Sequence, residues 1–352
     1  MGSLDNSAVQ KGTTILITGV NGFLGSHIAD QFLGRGYKVR GTVRNVDKCS
    51  WLVKLFDKKY GEGRFHLAEV PNMIADGAFD EAVKGASVFV HTTSVVSFDP
   101  NPHNVIPTAI DGAVKALKAA YSETSVKRFV FTSSSTAAVS ATPGKPGIIV
   151  AEDTWNEDAI KEAWKEPPYG PDRVWSVYAA SKAQSEQEVW RFHNEHRHRR
   201  PDIVVNSVLP AFNFGQVLDP VNQGFPSTAG LVSTLWKGEV TSMHKMIVRD
   251  YYVNAQDTGK LHFAAAISPN VKDMRIFAFA GGFSWNSILD ILHAHEPDRE
   301  FPANFSGGTD PNEIRPSVKA ERLLQDMGFL GWISLEKSIV DNVEQLKTLT
   351  KD

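Results

Sequence analysis

The amino-acid sequence predicts an α/β fold, with a doubly wound parallel sheet followed by a smaller C-terminal lobe. Short apolar runs alternate with amphipathic stretches through the first 210 residues, as in repeated strand–helix units. Runs such as Phe129-Val130-Phe131 are apolar throughout, which is typical of parallel strands that are buried on both faces. After residue 210, glycine, proline and aromatic residues are interleaved irregularly, and we expect the lobe there.

Strands and helices alternate along the predicted sheet domain. Strands are expected over 14–18, 37–43, 64–68, 87–92, 128–133 and 203–209, and helices over 24–35, 47–58, 76–84, 104–122 and 172–197. The segment 141–171 is rich in Pro, Gly, Glu and Trp, so we expect a long loop with short helical pieces. Pro210 ends the sixth strand. The chain therefore divides into a sheet domain over 1–210 and a lobe over 211–352, from which some segments return to the core.

Composition excludes several classes of protein. The chain has 352 residues, 42% of them hydrophobic, which is enough for a sizeable core. A formal net charge of −3 gives no electrostatic basis for binding nucleic acid or an anionic membrane. Cys49 is the only cysteine, so an internal disulfide is excluded and a reducing compartment is favoured. We expect a cytoplasmic monomer or homodimer that has no metal site, membrane partner or nucleic-acid partner.

The first chemical motif directly follows the first strand. Gly19, Gly22 and Gly25 are spaced three apart, between a predicted strand and a predicted helix. Glycine permits a sharp turn, a close approach of phosphate to the backbone, and close packing of the next helix. The helix N-terminus adds free N–H groups and a partial positive charge. A purely structural turn is the alternative. The motif predicts that a dinucleotide pyrophosphate is bound by Gly19, Asn21, Gly22, Phe23, Leu24 and Gly25.

The end of the second strand predicts which dinucleotide binds. An acidic residue about 20 positions after the glycines binds the ribose hydroxyls of NAD, whereas arginine accommodates the 2′-phosphate of NADP. Arg44 lies 19 residues after Gly25, and Lys48 follows one helical turn later. Asp47 is an acidic alternative, but we expect it to cap the next helix. NADP(H) is therefore the predicted cofactor, although Lys48 could also be an ordinary exposed helix lysine.

The second chemical motif combines a tyrosine, a lysine and a serine triplet. Tyr178 and Lys182 are four residues apart, so they share one face of the predicted helix. Free tyrosine has a pKa of about 10, and roughly 4 kcal/mol must come from its surroundings for acid–base work at neutral pH. A nearby ammonium can supply part of it. Ser134, at the end of the fifth strand, would donate to a substrate oxygen, and Ser133 and Ser135 are alternatives. The motif predicts proton transfer to a carbonyl.

These motifs resemble those of the extended short-chain dehydrogenases/reductases: Thr-Gly-x-x-Gly-x-x-Gly, a serine at the fifth strand, and Tyr-x-x-x-Lys. The sequence is most similar to the dihydroflavonol reductase-like branch, and especially to yeast aldehyde (carbonyl) reductases, in segments 36–44, 95–98, 125–130 and 177–182. The similarity covers nearly the whole chain and is strongest before Pro210. It implies a Rossmann-like fold, NADP(H), a small-molecule carbonyl substrate and a substrate-binding lobe.

The resemblance also implies roles for individual residues. Its catalytic set is Ser134, Tyr178 and Lys182, of which the last two also contact the cofactor. Its remaining cofactor contacts are Arg44 and Lys48 at the 2′-phosphate, Thr93 and Ser94 at the ribose, and Pro210 and Phe212 beside the nicotinamide. Many relatives carry an acidic residue near the adenine after the third strand. Here that stretch, 69–72, reads Glu-Val-Pro-Asn, so the adenine contact is left unassigned.

The predicted substrate pocket is apolar, with the hydroxyl of Ser134 as its polar contact. Its other predicted members are Val95, Phe98, Trp175, Phe225, Trp236, Met243 and Met246. Aromatic and thioether linings favour bulky uncharged ketones or aldehydes over sugar nucleotides. Ordinary core packing of the lobe is the alternative for each of these apolar residues.

The leading hypothesis is an NADPH-dependent carbonyl reductase with Tyr178 as the proton donor. One alternative is a nucleotide-sugar epimerase or dehydratase on the same fold, which predicts NAD and cationic residues that bind a diphosphate. Arg44 argues against NAD, and the apolar lobe argues against cationic residues that bind a diphosphate. Another alternative is a non-catalytic NADP-sensing regulator. Such proteins commonly lose the active tyrosine, whereas Tyr178 and Lys182 are both present here.

Overall fold

The structure is a computed structural model that describes residues 7–94, 97–141 and 146–349. Its strands are β1 (Thr14–Thr18), β2 (Lys38–Val43), β3 (Phe65–Glu69), β4 (Ala86–His91), β5 (Arg128–Thr132), β6 (Ile149–Val150), β7 (Val204–Pro210), β8 (Phe212–Phe214), β9 (Arg249–Asn254), β10 (Arg275–Ala278), β11 (Gly281–Ser284) and β12 (Glu313–Ile314). Its α-helices are α1 (Phe23–Leu33), α2 (Trp51–Tyr60), α3 (Asp80–Val83), α4 (Pro102–Ser122), α5 (Glu157–Ala163), α6 (Val174–His196), α7 (Pro220–Gln223), α8 (Thr228–Trp236), α9 (Ser242–Met246), α10 (Ala255–Ile267), α11 (Trp285–His295), α12 (Ser317–Asp326) and α13 (Leu335–Leu349).

A seven-stranded sheet in the order β10-β7-β5-β4-β1-β2-β3 forms the centre of the molecule. Every neighbouring pair in it is parallel, and Ile15 of β1, for example, pairs with Val39 of β2. The chain builds β1 to β3 outward in one direction, and then returns past β1 to build β4, β5, β7 and β10 in the other. This topology confirms the predicted doubly wound, Rossmann-like fold.

Apolar side chains are buried on both faces of this sheet. Ile15 and Ile17 of β1 belong to a core cluster with residues of α1, α10 and α12, whereas Leu16 belongs to a second cluster with residues of α4 and α6. Successive side chains of a strand point to opposite faces, so one apolar run supplies both cores. This is why the strands read as continuous apolar runs in the sequence.

A smaller lobe continues from the carboxyl end of the main sheet. β8 begins at Phe212, directly after β7, and forms a three-stranded sheet in the order β11-β9-β8. Its core contains Phe214, Trp285 and Ile339, the last two from α11 and α13. Within the same C-terminal part of the chain, β10 and α10 pack into the main sheet domain. The division at residue 210 stays a prediction.

Two predicted helices differ from those observed. The helix predicted over 76–84 is limited to α3, because Gly77 has a φ of +70° and the residues before α3 form turns. The helix predicted over 47–58 is divided into a 3₁₀ turn, Asp47–Cys49, and α2. No helix in the described part of the chain is long and apolar enough to cross a lipid bilayer.

Candidate active site

The glycine turn, Arg44, Thr93, Ser134 and Pro210 lie at the carboxyl ends of β1, β2, β4, β5 and β7, respectively. The chain reverses its direction of building between β1 and β4, and ligands of doubly wound sheets bind at such a switch point, beyond the carboxyl ends of the strands. The glycine turn follows β1, and Thr93 and Ser94 follow β4. Ser134 follows β5.

The glycine turn is closely packed against the helix that follows it. A Cβ on Gly25 would lie 2.3 Å from the carbonyl oxygen of Gly19, and a Cβ on Gly19 would lie 2.9 Å from Oγ1 of Thr93. Gly19 has a φ of +62°. Helix α1 begins at Phe23 with no side-chain cap and no acidic residue in its first turn. Its N–H groups and positive end are thus available to an anion, and the turn fits a dinucleotide pyrophosphate.

Thr18 joins the glycine turn to the end of β4. Its Oγ1 accepts hydrogen bonds from the backbone N–H groups of Thr92 (2.9 Å) and Thr93 (3.1 Å). Thr93 is thereby held beside Gly19, which is the position that a ribose contact next to the pyrophosphate turn requires. The sequence did not indicate this role of Thr18.

Arg44 and Lys48 are both exposed just after β2. No ion pair holds either side chain among the residues that the structure describes, so both can bind a phosphate. Side-chain oxygens hold the backbone of this loop. The N–H of Val46 donates to Glu69 Oε2 (3.1 Å), and the N–H of Lys48 donates to Asn45 Oδ1 (2.9 Å). The expectation that Asp47 caps the next helix is wrong, because Asn45 accepts that N–H and Asp47 lies inside the turn.

Residues 69–72, at the end of β3, make local hydrogen bonds. Glu69 accepts from the Val46 backbone, and the side chain of Asn72 accepts from the N–H of Ile74 at 3.1 Å. Glu69 and Asn72 thus hold the backbone of the loops beside the end of β3.

The Ser134 hydroxyl acts on the phenol of Tyr178 and lowers the pKa of that phenol. Ser134 Oγ also accepts from the backbone N–H (3.3 Å) and the hydroxyl (3.0 Å) of Thr136, so its own hydrogen is left to donate towards Tyr178. Ser133 instead donates to Glu186 at 2.8 Å. Of the serine triplet, Ser134 is therefore the member that the structure places against the phenol.

Burial controls the protonation of the phenol and of the lysine one turn along. It raises the pKa of Tyr178, and the hydrogen bond from Ser134 lowers that pKa in part, so Tyr178 is a neutral phenol at neutral pH. Lys182 is 6% exposed. Burial lowers the pKa of Lys182 to about 8, against an upward effect of Glu186. The site thus holds a proton donor beside a lysine that is cationic at neutral pH.

Aromatic rings surround the phenol. Trp175 stacks on Tyr178 with ring centroids 5.2 Å apart, and Phe98 approaches Tyr178 at 6.3 Å. Phe212, at the start of the lobe, lies 6.3 Å from Trp175. Phe98 is half exposed. The phenol is therefore reached along an apolar, aromatic surface.

The other predicted substrate contacts are distributed over the lobe. Phe225 and Met243 pack against the lobe core together with Trp175, and Trp236 is buried inside that core. Arg299 covers the Trp236 ring at 4.0 Å, which is the arrangement of a packing residue. Met246 is 41% exposed. Val95 lies outside the described residues.

Two residues at the site were not predicted from the sequence. Gln223, on the short helix α7 of the lobe, donates to the carbonyl oxygens of Asn21 (3.1 Å) and Gly22 (3.3 Å) in the glycine turn. Glu186 lies one turn beyond Lys182 on α6 and is fully buried. Glu186 carried a signal, since it is spaced four residues from Lys182, whereas Gln223 carried none.

Known proteins share this fold and these motifs. A model of the NAD dependent epimerase/dehydratase family matches residues 15–207, more than half of the chain. The chain belongs to this family. It is 39% identical to aldehyde reductase 2 of Sporidiobolus salmonicolor, over 97% of this chain and 98% of that protein. It is 38% identical to the NAD-dependent epimerase/dehydratase terH of Aspergillus terreus, over 97% and 99%.

A solved structure extends the similarity to three dimensions. The crystal structure of Gre2 in complex with NADPH from Candida albicans matches with a TM-score of 0.80 and 26% identity, over 96% of this chain and 99% of that one. The predicted resemblance to extended short-chain dehydrogenases/reductases, and especially to yeast aldehyde reductases, is confirmed.

Proposed function

We propose that this epimerase/dehydratase family member reduces bulky, largely apolar ketones or aldehydes to alcohols, with Tyr178 as the proton donor. The broader class follows from the family and from the relatives described above: the chain is an NADP-dependent oxidoreductase that acts on carbonyl groups. The observation that carries the finer proposal is a neutral Tyr178 phenol that stacks on Trp175 at 5.2 Å and is acted on by Ser134, whose hydroxyl hydrogen is left to donate.

The residues present fit the pyrophosphate, the 2′-phosphate, the ribose and the nicotinamide of NADPH. The glycine turn and the N-terminus of α1 would hold the pyrophosphate, and the exposed side chains of Arg44 and Lys48 would hold the 2′-phosphate. The other cofactor contacts that we assign are Thr93, Ser94 and Lys182 at the ribose, and Pro210 and Phe212 at the nicotinamide. When bound, NADPH supplies the hydride that adds to the carbonyl carbon.

The chain's own residues complete the reaction at the carbonyl oxygen. The Ser134 hydroxyl, with both lone pairs occupied by Thr136, donates to that oxygen and holds it next to Tyr178. Tyr178 gives its proton to the oxygen, and the O–H bond of the phenol breaks as the O–H bond of the alcohol forms. The tyrosinate that results is stabilised by the ammonium of Lys182, one helical turn away.

The surroundings of the phenol support an apolar substrate. The rings in contact with Tyr178, those of Trp175 and Phe98, are uncharged and offer flat surface to an aryl or alkyl group. A nucleotide sugar would require cationic groups to bind its diphosphate. We therefore assign aryl ketones and comparable aldehydes as the preferred substrates.

Trp175→Ala tests the substrate class. We expect kcat/KM for an aryl ketone to fall about tenfold, because the ring that packs beside the phenol is lost, and kcat/KM for a small aliphatic ketone to fall less than about twofold. NADPH oxidation followed by absorbance measures both. Trp175→Phe is the matched control, and it should retain most of the activity on the aryl ketone. An equal loss on both ketones would mean that Trp175 only supports the fold and does not contact substrate.

A further inference from the structure

The buried carboxylate of Glu186 lies on α6, one helical turn beyond Lys182. Glu186 is 0% exposed, and both of its oxygens are hydrogen-bonded. Oε1 accepts from Ser207 Oγ (2.6 Å), from Arg275 Nε (2.9 Å) and from Trp190 Nε1 (3.3 Å). Oε2 accepts from Ser133 Oγ (2.8 Å) and Arg275 Nη2 (3.2 Å). A buried charge with this many donors is fully satisfied, and each partner is fixed in turn.

Arg275 is the counter-ion of this carboxylate, and it lowers the free-energy cost of burying the negative charge. Its side chain is 8% exposed, and its Nη1 donates to the carbonyl oxygens of Glu152 (2.8 Å) and Thr154 (2.7 Å). Its guanidinium lies 3.8 Å from the centroid of the Trp155 ring. Arg275 begins β10, so the edge strand of the main sheet is linked through Glu186 to α6.

Glu186 also contacts the strand end that precedes Ser134. Ser133 Oγ donates to Glu186, and the N–H of Ser133 donates to the carbonyl oxygen of Val208 at 2.8 Å. With Ser133 held from both sides, Ser134 is directed towards Tyr178. Tyr178, Lys182 and Glu186 follow one another at four-residue intervals along one face of α6.

The titratable groups that act on Lys182 come from its own helix and from β4. Glu186 raises the pKa of Lys182, against the dominant downward effect of burial. His91, at the end of β4, has a pKa lowered to about 3 by burial and by Lys182, so it is neutral. Arg275, from β10, is ion-paired with Glu186 at 2.9 Å. Glu186 is thus the negative charge that favours the ammonium form of Lys182.

We propose that Glu186 is a positioning residue for carbonyl reduction: it ties the end of β5 that carries Ser134 to the helix that carries Tyr178 and Lys182, and it places a buried carboxylate one helical turn beyond Lys182. This inference rests on the roles proposed above for those three residues. Glu186 touches neither substrate nor cofactor, and it acts through Ser133 and Lys182.

The test is the pH profile of kcat for NADPH-driven ketone reduction by full-length variants. In the wild type, we expect reduction to fall as the pH rises through about 8, because Lys182 then loses the charge that stabilises the tyrosinate. Glu186→Gln keeps the size of the side chain and removes its charge. The pKa of Lys182 should then be lower, so the fall in activity moves about one pH unit down, and kcat at neutral pH drops about twofold.

Two further variants separate charge from packing. Glu186→Asp keeps the charge but shortens the side chain that reaches Ser133. We therefore expect kcat to be lower, while the pH at which kcat decreases on the alkaline side stays that of the wild type. Ser207→Ala removes one hydrogen bond and no charge, and should also leave that pH unchanged. A Glu186→Gln variant whose pH profile matches the wild type would show a merely structural role and overturn the inference.

The outcome remains decisive if Glu186→Gln does not fold. In that case Glu186→Asp provides the test. The inference would be overturned if this variant had the kcat of the wild type, or if its kcat decreased at a different alkaline pH. Tyr178→Phe, measured in parallel, distinguishes the two proposals. Normal turnover in that variant overturns the proposed function and this inference together. If Tyr178→Phe is inactive and the pH profile of Glu186→Gln matches that of the wild type, this inference alone is overturned.

Discussion

Tyr178→Phe should lower kcat for ketone reduction by about 10³-fold, while the affinity for NADPH stays within about twofold of the wild type. The substitution removes only the phenol hydroxyl, on which Ser134 acts. The ring stays between Trp175 and Phe98, so the surface that receives the substrate keeps its shape. Steady-state kinetics and a fluorescence titration with NADPH measure the two quantities.

Tyr169→Phe is the matched control for this variant. It removes a hydroxyl from the loop that leads to α6, where the ring packs against the Arg173 guanidinium at 5.1 Å. Its kcat should equal that of the wild type. If Tyr178→Phe also turned over at the wild-type rate, the carbonyl oxygen would receive its proton from another group, and the role of Tyr178 would be refuted.

Arg44→Glu should weaken NADPH binding about 100-fold and leave NADH binding unchanged or improved. Loss of a charge-assisted contact to the 2′-phosphate costs about 2–3 kcal/mol, and a carboxylate in its place adds repulsion. The residue is exposed, and its side chain has no ion-pair partner among the described residues, so the substitution should not disturb the fold. Titration with both dinucleotides gives the ratio of the two dissociation constants.

Arg64→Glu makes the same charge change at the opposite edge of the sheet. Arg64 is exposed and precedes β3, whereas Arg44 follows β2, and parallel strands place these positions at opposite ends. NADPH affinity in this control should match the wild type. Equal losses of NADPH and NADH affinity in Arg44→Glu would mean that Arg44 does not contact the phosphate.

The main sheet could be predicted because most of its strands carry their own local signal. β1 and β5 are continuous apolar runs, and their observed bounds differ from the prediction by at most one residue. β10 could not be predicted in this way. It has four residues and begins with the charged Arg275, and its burial depends on pairing with β7, far earlier in the chain. Such long-range pairing leaves little trace in a local pattern.

The centre of the candidate site could be predicted for a geometric reason. Parallel strands end at the same edge of a sheet, so motifs after β1, β4 and β5 must lie close together. Tyr178 and Lys182 share a helix, which fixes their spacing. The contact of Gln223 with the glycine turn depends on how the lobe docks, which no local pattern records. The burial of Glu186 depends on Arg275, which comes from a distant strand.

The most direct test of carbonyl reduction is the stoichiometry of the reaction. Purified full-length protein is given NADPH and a panel of aryl ketones, ketoesters and aldehydes, with a nucleotide sugar and NAD in a parallel reaction. We expect one alcohol formed for each NADPH oxidised, with the aryl ketones turned over fastest. Conversion of the nucleotide sugar without net consumption of cofactor, together with no alcohol from any carbonyl compound, would contradict a reductase with Tyr178 as its proton donor.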